Sequence, residues 1–231
     1  MSIYFLFIII IFIISIFVQM RFKSKFAKYS EMQLNNGLSG KEIAEKMLHD
    51  NGIYDVKVMN TEGQLSDHYN PANKTVNLST DVYFGRSVAA AAVAAHECGH
   101  AIQQAKSYNW LQLRTEMVPI VSISSNLLQW VILIGVLLIG FTGNTIVLGI
   151  GVIGLAIITI FSLITLPVEF DASNRAMAWL KTNPNVMVTN GEIVQANDAL
   201  RWAAMTYVVA ALGALGNLLY YASMLFGRSQ D

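Results

Sequence analysis

Four stretches of this chain carry no charged residue: Ile3–Val18, Val118–Phe141, Asn144–Val168 and Trp202–Gly227. A helix needs about 20 apolar residues to cross roughly 30 Å of hydrocarbon, and the first stretch is near the lower limit. Backbone polar groups in hydrocarbon must be satisfied within the segment, so such runs dictate helices. The second stretch is polar in its first half, with Ser122, Ser124, Ser125, Asn126 and Gln129. Lipid offers these groups no partner, so that half is expected to face protein or a wet cavity.

The rest of the composition agrees. Of 231 residues, 54% are hydrophobic and 13% charged, with zero net charge. Soluble domains carry about 25% charged residues, and disordered chains are polar and charge-rich. A balanced charge argues against a nucleic-acid partner. The single cysteine, Cys98, excludes an intrachain disulfide framework.

The charges are unevenly placed. Fourteen of the 15 basic residues fall between the first and second stretches or between the third and fourth. Only Arg228 falls on the other side. The positive-inside rule then predicts two cytoplasmic loops and both termini outside. The first stretch lacks the basic n-region and small-residue cleavage site of a signal peptide. Arg21, Lys23, Lys25 and Lys28 follow it instead, as after an uncleaved anchor.

Within residues 20–116, Ser39 and Glu42 form a capping-box pattern ahead of apolar Ile43, Met47 and Leu48, which predicts a short amphipathic helix. Asn51-Gly52 would end it. Val56, Val58, Val76 and Leu78 alternate with polar residues, as half-buried strands do, with turn chemistry at Tyr69–Lys74 between them. Ser87–Tyr108 is alanine-rich and predicts a strong helix.

Inside that helix stands His96-Glu97-Cys98-Gly99-His100, an H-E-x-x-H pattern. Residues i and i+4 share a helical face, so both imidazoles can reach one Zn²⁺. Glu97 can reach a water on the metal, which suits a general base. Cys98 lies one residue round from that face and reads as a packed small residue. A catalytic zinc needs a third protein ligand and one open position. His49 and His68 remain, but Glu169, just after the third stretch, is the more attractive candidate, with Asp171 its rival. Spacing leaves that choice open. Pro167 would mark the start of a helix there.

The chain resembles the bacterial membrane-bound neutral zinc metallopeptidases of the YugP type. The carriers are Asp67–Pro71, Gly85–Ala90, Val93–Gln103 and Leu166–Ser173, and the resemblance covers most of the chain from about Asp67 onward. It implies a gluzincin arrangement: His96, His100 and Glu169 as ligands of one Zn²⁺ per chain, with Glu97 as base. It also implies a bacterial plasma-membrane protein acting on peptides or proteins. Wider relatives of the heat-shock HtpX type and the CAAX-processing type carry an Asp four residues after the ligand Glu, supporting a zinc-binding His. Here that place is Ser173, so Asp171 or Asn174 becomes the candidate support. Cys98 stands where the family has Val.

The expectation is therefore a mainly α membrane protein with about four transmembrane helices and a cytoplasmic zincin-like α+β region holding a small sheet or hairpin. Its parts would be an anchor (1–19), the catalytic region (20–116), a transmembrane hairpin (117–167), a segment with the third ligand (168–201), and a last helix with a short tail (202–231). An extended peptide would pair with a strand at Thr75–Ser79. His68, Tyr83 and Arg175 are candidate donors to the developing oxyanion. The bland alternatives are that His68 bonds its own turn and that Arg175 pairs with Asp171. The lipid bilayer is a partner; a second copy or another membrane protein is left open. A non-catalytic membrane scaffold clamped by zinc is the rival function, although it has no use for Glu97. A transporter is a third class, but no ionisable residue lies within any stretch.

Overall fold

The computed structural model describes residues 3–227. Arg228 and the rest of the tail lie outside the described residues. The chain is mainly helical (75%) with one three-stranded sheet. In order it forms α1 (Ile3–Ser30), α2 (Gly40–Asp50), β1 (Lys57–Thr61), β2 (His68–Asn70), β3 (Thr75–Ser79), α3 (Thr80–Tyr83), α4 (Val88–Ala105), α5 (Asn109–Thr142), α6 (Ile146–Thr182) and α7 (Asn190–Gly227).

Helices α1, α6 and α7 are each long and apolar enough to cross a membrane. The halves of α5, Asn109–Ser125 and Leu127–Thr142, meet at 47° and make a fourth span if counted as one crossing. The chain divides into two compact units. One comprises Met1–Val18, Leu113–Leu166 and Tyr207–Asp231; the other comprises Gln19–Gln112 and Pro167–Thr206.

In the first unit, large apolar side chains such as Phe12, Ile123, Trp130 and Ile153 are exposed, as suits helices whose solvent is lipid. Thr159, Ser162 and Thr165 donate their hydroxyls to carbonyls four residues earlier, at 2.8–2.9 Å. That satisfies each polar group within its own helix. Gly135 lets α5 approach the backbone of Leu148, because a Cβ there would lie 2.7 Å from the Leu148 nitrogen. Ser125 and Gln129 line a groove of about 500 Å³ together with Asn217 and Tyr221.

The second unit is built around α2, α4 and the sheet. Ser39 caps α2, accepting from the Glu42 N–H at 3.3 Å, while Glu42 Oε2 accepts from the Ser39 N–H at 2.8 Å. Ile43, Ala44, Met47 and Leu48 are the buried face of α2. They join Val76, Leu78, Val82 and the alanines of α4 in one core, which Leu180, Val186 and Met187 complete. Small residues along α4 bring its neighbours close, so that Cys98 Sγ lies 3.5 Å from the Ala44 carbonyl.

The sheet differs from a simple hairpin. Its order is β1-β3-β2, with β1 parallel and β2 antiparallel to β3. Strand β3 (Thr75–Ser79) is therefore central, with both edges taken. An added peptide cannot pair with it, contrary to the expectation from sequence; β1 and β2 are the edge strands. The reason is non-local: the alternation of Val76 and Leu78 reports a buried face, not which neighbours a strand has.

Pro167 also departs from expectation, because it lies inside a continuous α6 rather than at a start. A proline removes one N–H donor, and helices of membrane proteins tolerate it where neighbouring groups serve the freed carbonyl.

Candidate metal centre

Helical spacing brings His96 and His100 to one side of α4, with ring centroids 4.9 Å apart. Helix α6 supplies the third group. Glu169 Oε2 lies 3.2 Å from His96 Nε2 and 3.6 Å from His100 Nε2. The three donor atoms all fall within 4.8 Å of one another and could hold a metal ion. Metal–ligand bonds of about 2.0–2.1 Å in a tetrahedron put donors roughly 3.3 Å apart, so the observed separations fit. Two imidazoles and a carboxylate are also the donor chemistry of zinc. Asp171, the rival to Glu169, is turned elsewhere.

What lets the two helices meet so closely is Gly99. A Cβ at that position would lie 2.5 Å from the Ala172 carbonyl oxygen. Ala172 sits between Glu169 and Ser173, so the contact is at the level of the donors.

Glu169 is only 2% exposed. Such a carboxylate must be paired or bind a cation. Burial alone would push the His100 imidazole down, but the hydrogen bond and charge of Glu169 outweigh it, and the group titrates above its ordinary value.

Each histidine is held from behind. His96 Nδ1 lies 3.1 Å from Ser173 Oγ. His100 Nδ1 lies 3.0 Å from Gln103 Oε1. Gln103 in turn donates to the Val168 carbonyl and to Asp171 Oδ2, both at 2.8 Å. Arg175 Nε donates to the same Asp171 oxygen at 2.6 Å. Ser173, not Asp171 or Asn174, is thus the residue behind His96. Asp171 reaches His100 only through Gln103, and Asn174 is exposed.

Glu97 adjoins the donors but is not one of the three. Its Oε2 accepts from the Tyr69 backbone N–H at 3.0 Å. Since β2 pairs with β3 on one side, this bond shows that the other edge of β2 faces Glu97. The candidate oxyanion donors are engaged elsewhere. His68 is exposed and its Nδ1 lies 2.8 Å from the Ser66 carbonyl. Tyr83 lies under the Lys41 ammonium, 5.7 Å from the ring centroid. Arg175 holds Asp171. His49 lies on the surface with its ring tilted against Tyr54, centroids 5.3 Å apart. Cys98 is fully buried against α2, and burial pushes its thiol well up.

Residues 4–226 match the family described as "Putative neutral zinc metallopeptidase". The chain belongs to this family. The match begins at residue 4, so the family pattern includes the N-terminal helix as well as the motifs from Asp67 onward. A relative in Bacillus subtilis (strain 168), named "Putative membrane protease YugP", is 41% identical over 218 residues, covering 94% of each chain. No solved structure matches the chain. The donor trio of α4 and α6 is a group that could hold such a metal.

Proposed function

We propose that this chain is a membrane-anchored zinc endopeptidase of gluzincin type, working at the cytoplasmic face of a bacterial plasma membrane. One observation carries the reading: His96, His100 and Glu169 converge, and Glu97 stands beside them without joining them. Three protein donors are the ligand count of a catalytic zinc, whereas structural sites use four. The concentration of basic residues in the two loops that hold these groups supports the cytoplasmic side.

His96 and His100 would hold the metal through Nε2 and Glu169 through its carboxylate. Zinc, when bound, supplies Lewis acidity to a water and to the scissile carbonyl. Glu97 would serve as the base that moves a proton from the attacking water to the leaving amine. The outer edge of β2, marked by the Tyr69 N–H, is where an extended peptide would add as a further strand. There it would lie against Glu97.

Glu97→Gln tests the assignment. The variant is expected to keep zinc, by metal analysis of the purified chain. Its cleavage of a quenched-fluorescent peptide should fall on the order of 10²–10⁴-fold. Cleavage at the wild-type rate would sink the role of Glu97. A wild-type chain that binds zinc yet cleaves nothing would favour the zinc-clamped scaffold.

A further inference from the structure

Gln103 is the most deeply buried polar side chain around the donors, with no exposed surface. A glutamine amide with no contact to water must have its oxygen and its NH₂ matched by the right partners. The partners decide which way round it sits. On one side stand the Val168 carbonyl and the Asp171 carboxylate, each 2.8 Å away. A carbonyl only accepts, and a carboxylate that already accepts from Arg175 Nε at 2.6 Å only accepts as well. The NH₂ must therefore point there. That leaves Oε1 toward His100, 3.0 Å from Nδ1. An amide oxygen cannot donate, so the proton between them belongs to His100 Nδ1.

We propose that Gln103 sets the protonation of His100: it holds a proton on Nδ1 and so presents Nε2, the nitrogen beside Glu169, as the metal-facing atom. Arg175 and Asp171 are the anchor that keeps the amide from turning over. His96 has no such device, because the Ser173 hydroxyl behind it can donate or accept. Gln103 is thus a positioning residue, acting on the metal through His100. The inference rests on the zinc reading above, but the protonation it assigns can be read without metal.

The chain has four histidines, which makes ¹⁵N-histidine NMR of the full chain in lipid nanodiscs tractable. In the metal-free wild type, His100 is expected to show a protonated Nδ1 protected from exchange. Gln103→Leu should lose that protection. Its zinc affinity, measured by competition with a chromophoric chelator, should fall about 10–100-fold, the usual loss when a group supporting a metal ligand is removed. A second measurement guards against misfolding: the ¹⁵N resonances of His49 and His68 in Gln103→Leu should stay at their wild-type positions, so that the change at His100 is local. An Nδ1 of metal-free His100 without a proton would overturn the proposal. So would Gln103→Leu binding zinc as tightly as the wild type. A wild-type chain that binds no zinc would sink the peptidase reading, while the Nδ1 resonance of the metal-free chain would still decide the role of Gln103.

Discussion

Ser173 and Gln103 back His96 and His100 with neutral groups. Removing the Ser173 hydroxyl takes away the partner of His96 Nδ1. Ser173→Ala is expected to weaken zinc retention about tenfold, a loss typical of such supports, measurable by chelator competition. Ser173→Asp restores the carboxylate common in wider relatives and should tighten binding. At this scale, the convergence of His96 and His100 was legible because their spacing is local and the helix fixes their face. Glu169 was one of two candidates by spacing; α6 turns it toward the histidines and turns Asp171 toward Arg175. Gln103 was not singled out, because its partners Val168 and Asp171 lie 65 and 68 residues away. The one local signal was its position three residues after His100, on a shared face.

Among the elements, α4 depends on its contact with α6. Gly99→Ala forces a methyl group against the Ala172 carbonyl, and backbone yields less readily than a side chain. Overpacking of this kind costs about 1–3 kcal/mol, and here it also spreads the donors. The variant should lower both the unfolding temperature and zinc affinity, where a remote Gly→Ala change would leave affinity alone. Helix α2 offers a pH test. The Ser39 N–H, and then its hydroxyl, hold the Glu42 carboxyl below its ordinary 4.5. The folded state therefore gains stability from this charge above pH 4.5 and loses it as pH falls through the lowered value. Unfolding midpoints of wild type and Glu42→Gln should converge on acidification and separate, by a small margin for so exposed a group, above that pH. The capping box was readable from Ser39 and Glu42 alone. The strand order was not, since β1 and β2 find β3 through contacts that no run of residues encodes. Pro167 misled for a related reason: the rule that proline starts a helix describes a helix in water, and α6 continues through it.

For the whole molecule, the placement of charge matters more than its sum. With the basic residues gathered in two loops, a reporter enzyme fused after Asp231 should be active only if it works outside the cytoplasm, and a cytoplasmic reporter at the same point should be silent. The reverse result would overturn the assigned side. That the chain carries helices long and apolar enough to cross a membrane was legible from where charges are absent. The division into two compact units interleaves segments far apart in the chain, Gln19–Gln112 joining Pro167–Thr206, and such closure depends on long-range packing.

The contact of Gly99 with Ala172 has a consequence for ion choice. Because the backbones of α4 and α6 touch beside the donors, the size of the space between Nε2, Nε2 and Oε2 is a property of helix spacing. A larger ion with the same liking for nitrogen, such as cadmium, is expected to bind less well where that spacing is held. Its affinity relative to zinc is then a ruler for the gap, and any substitution that loosens the contact should shift selectivity toward the larger ion.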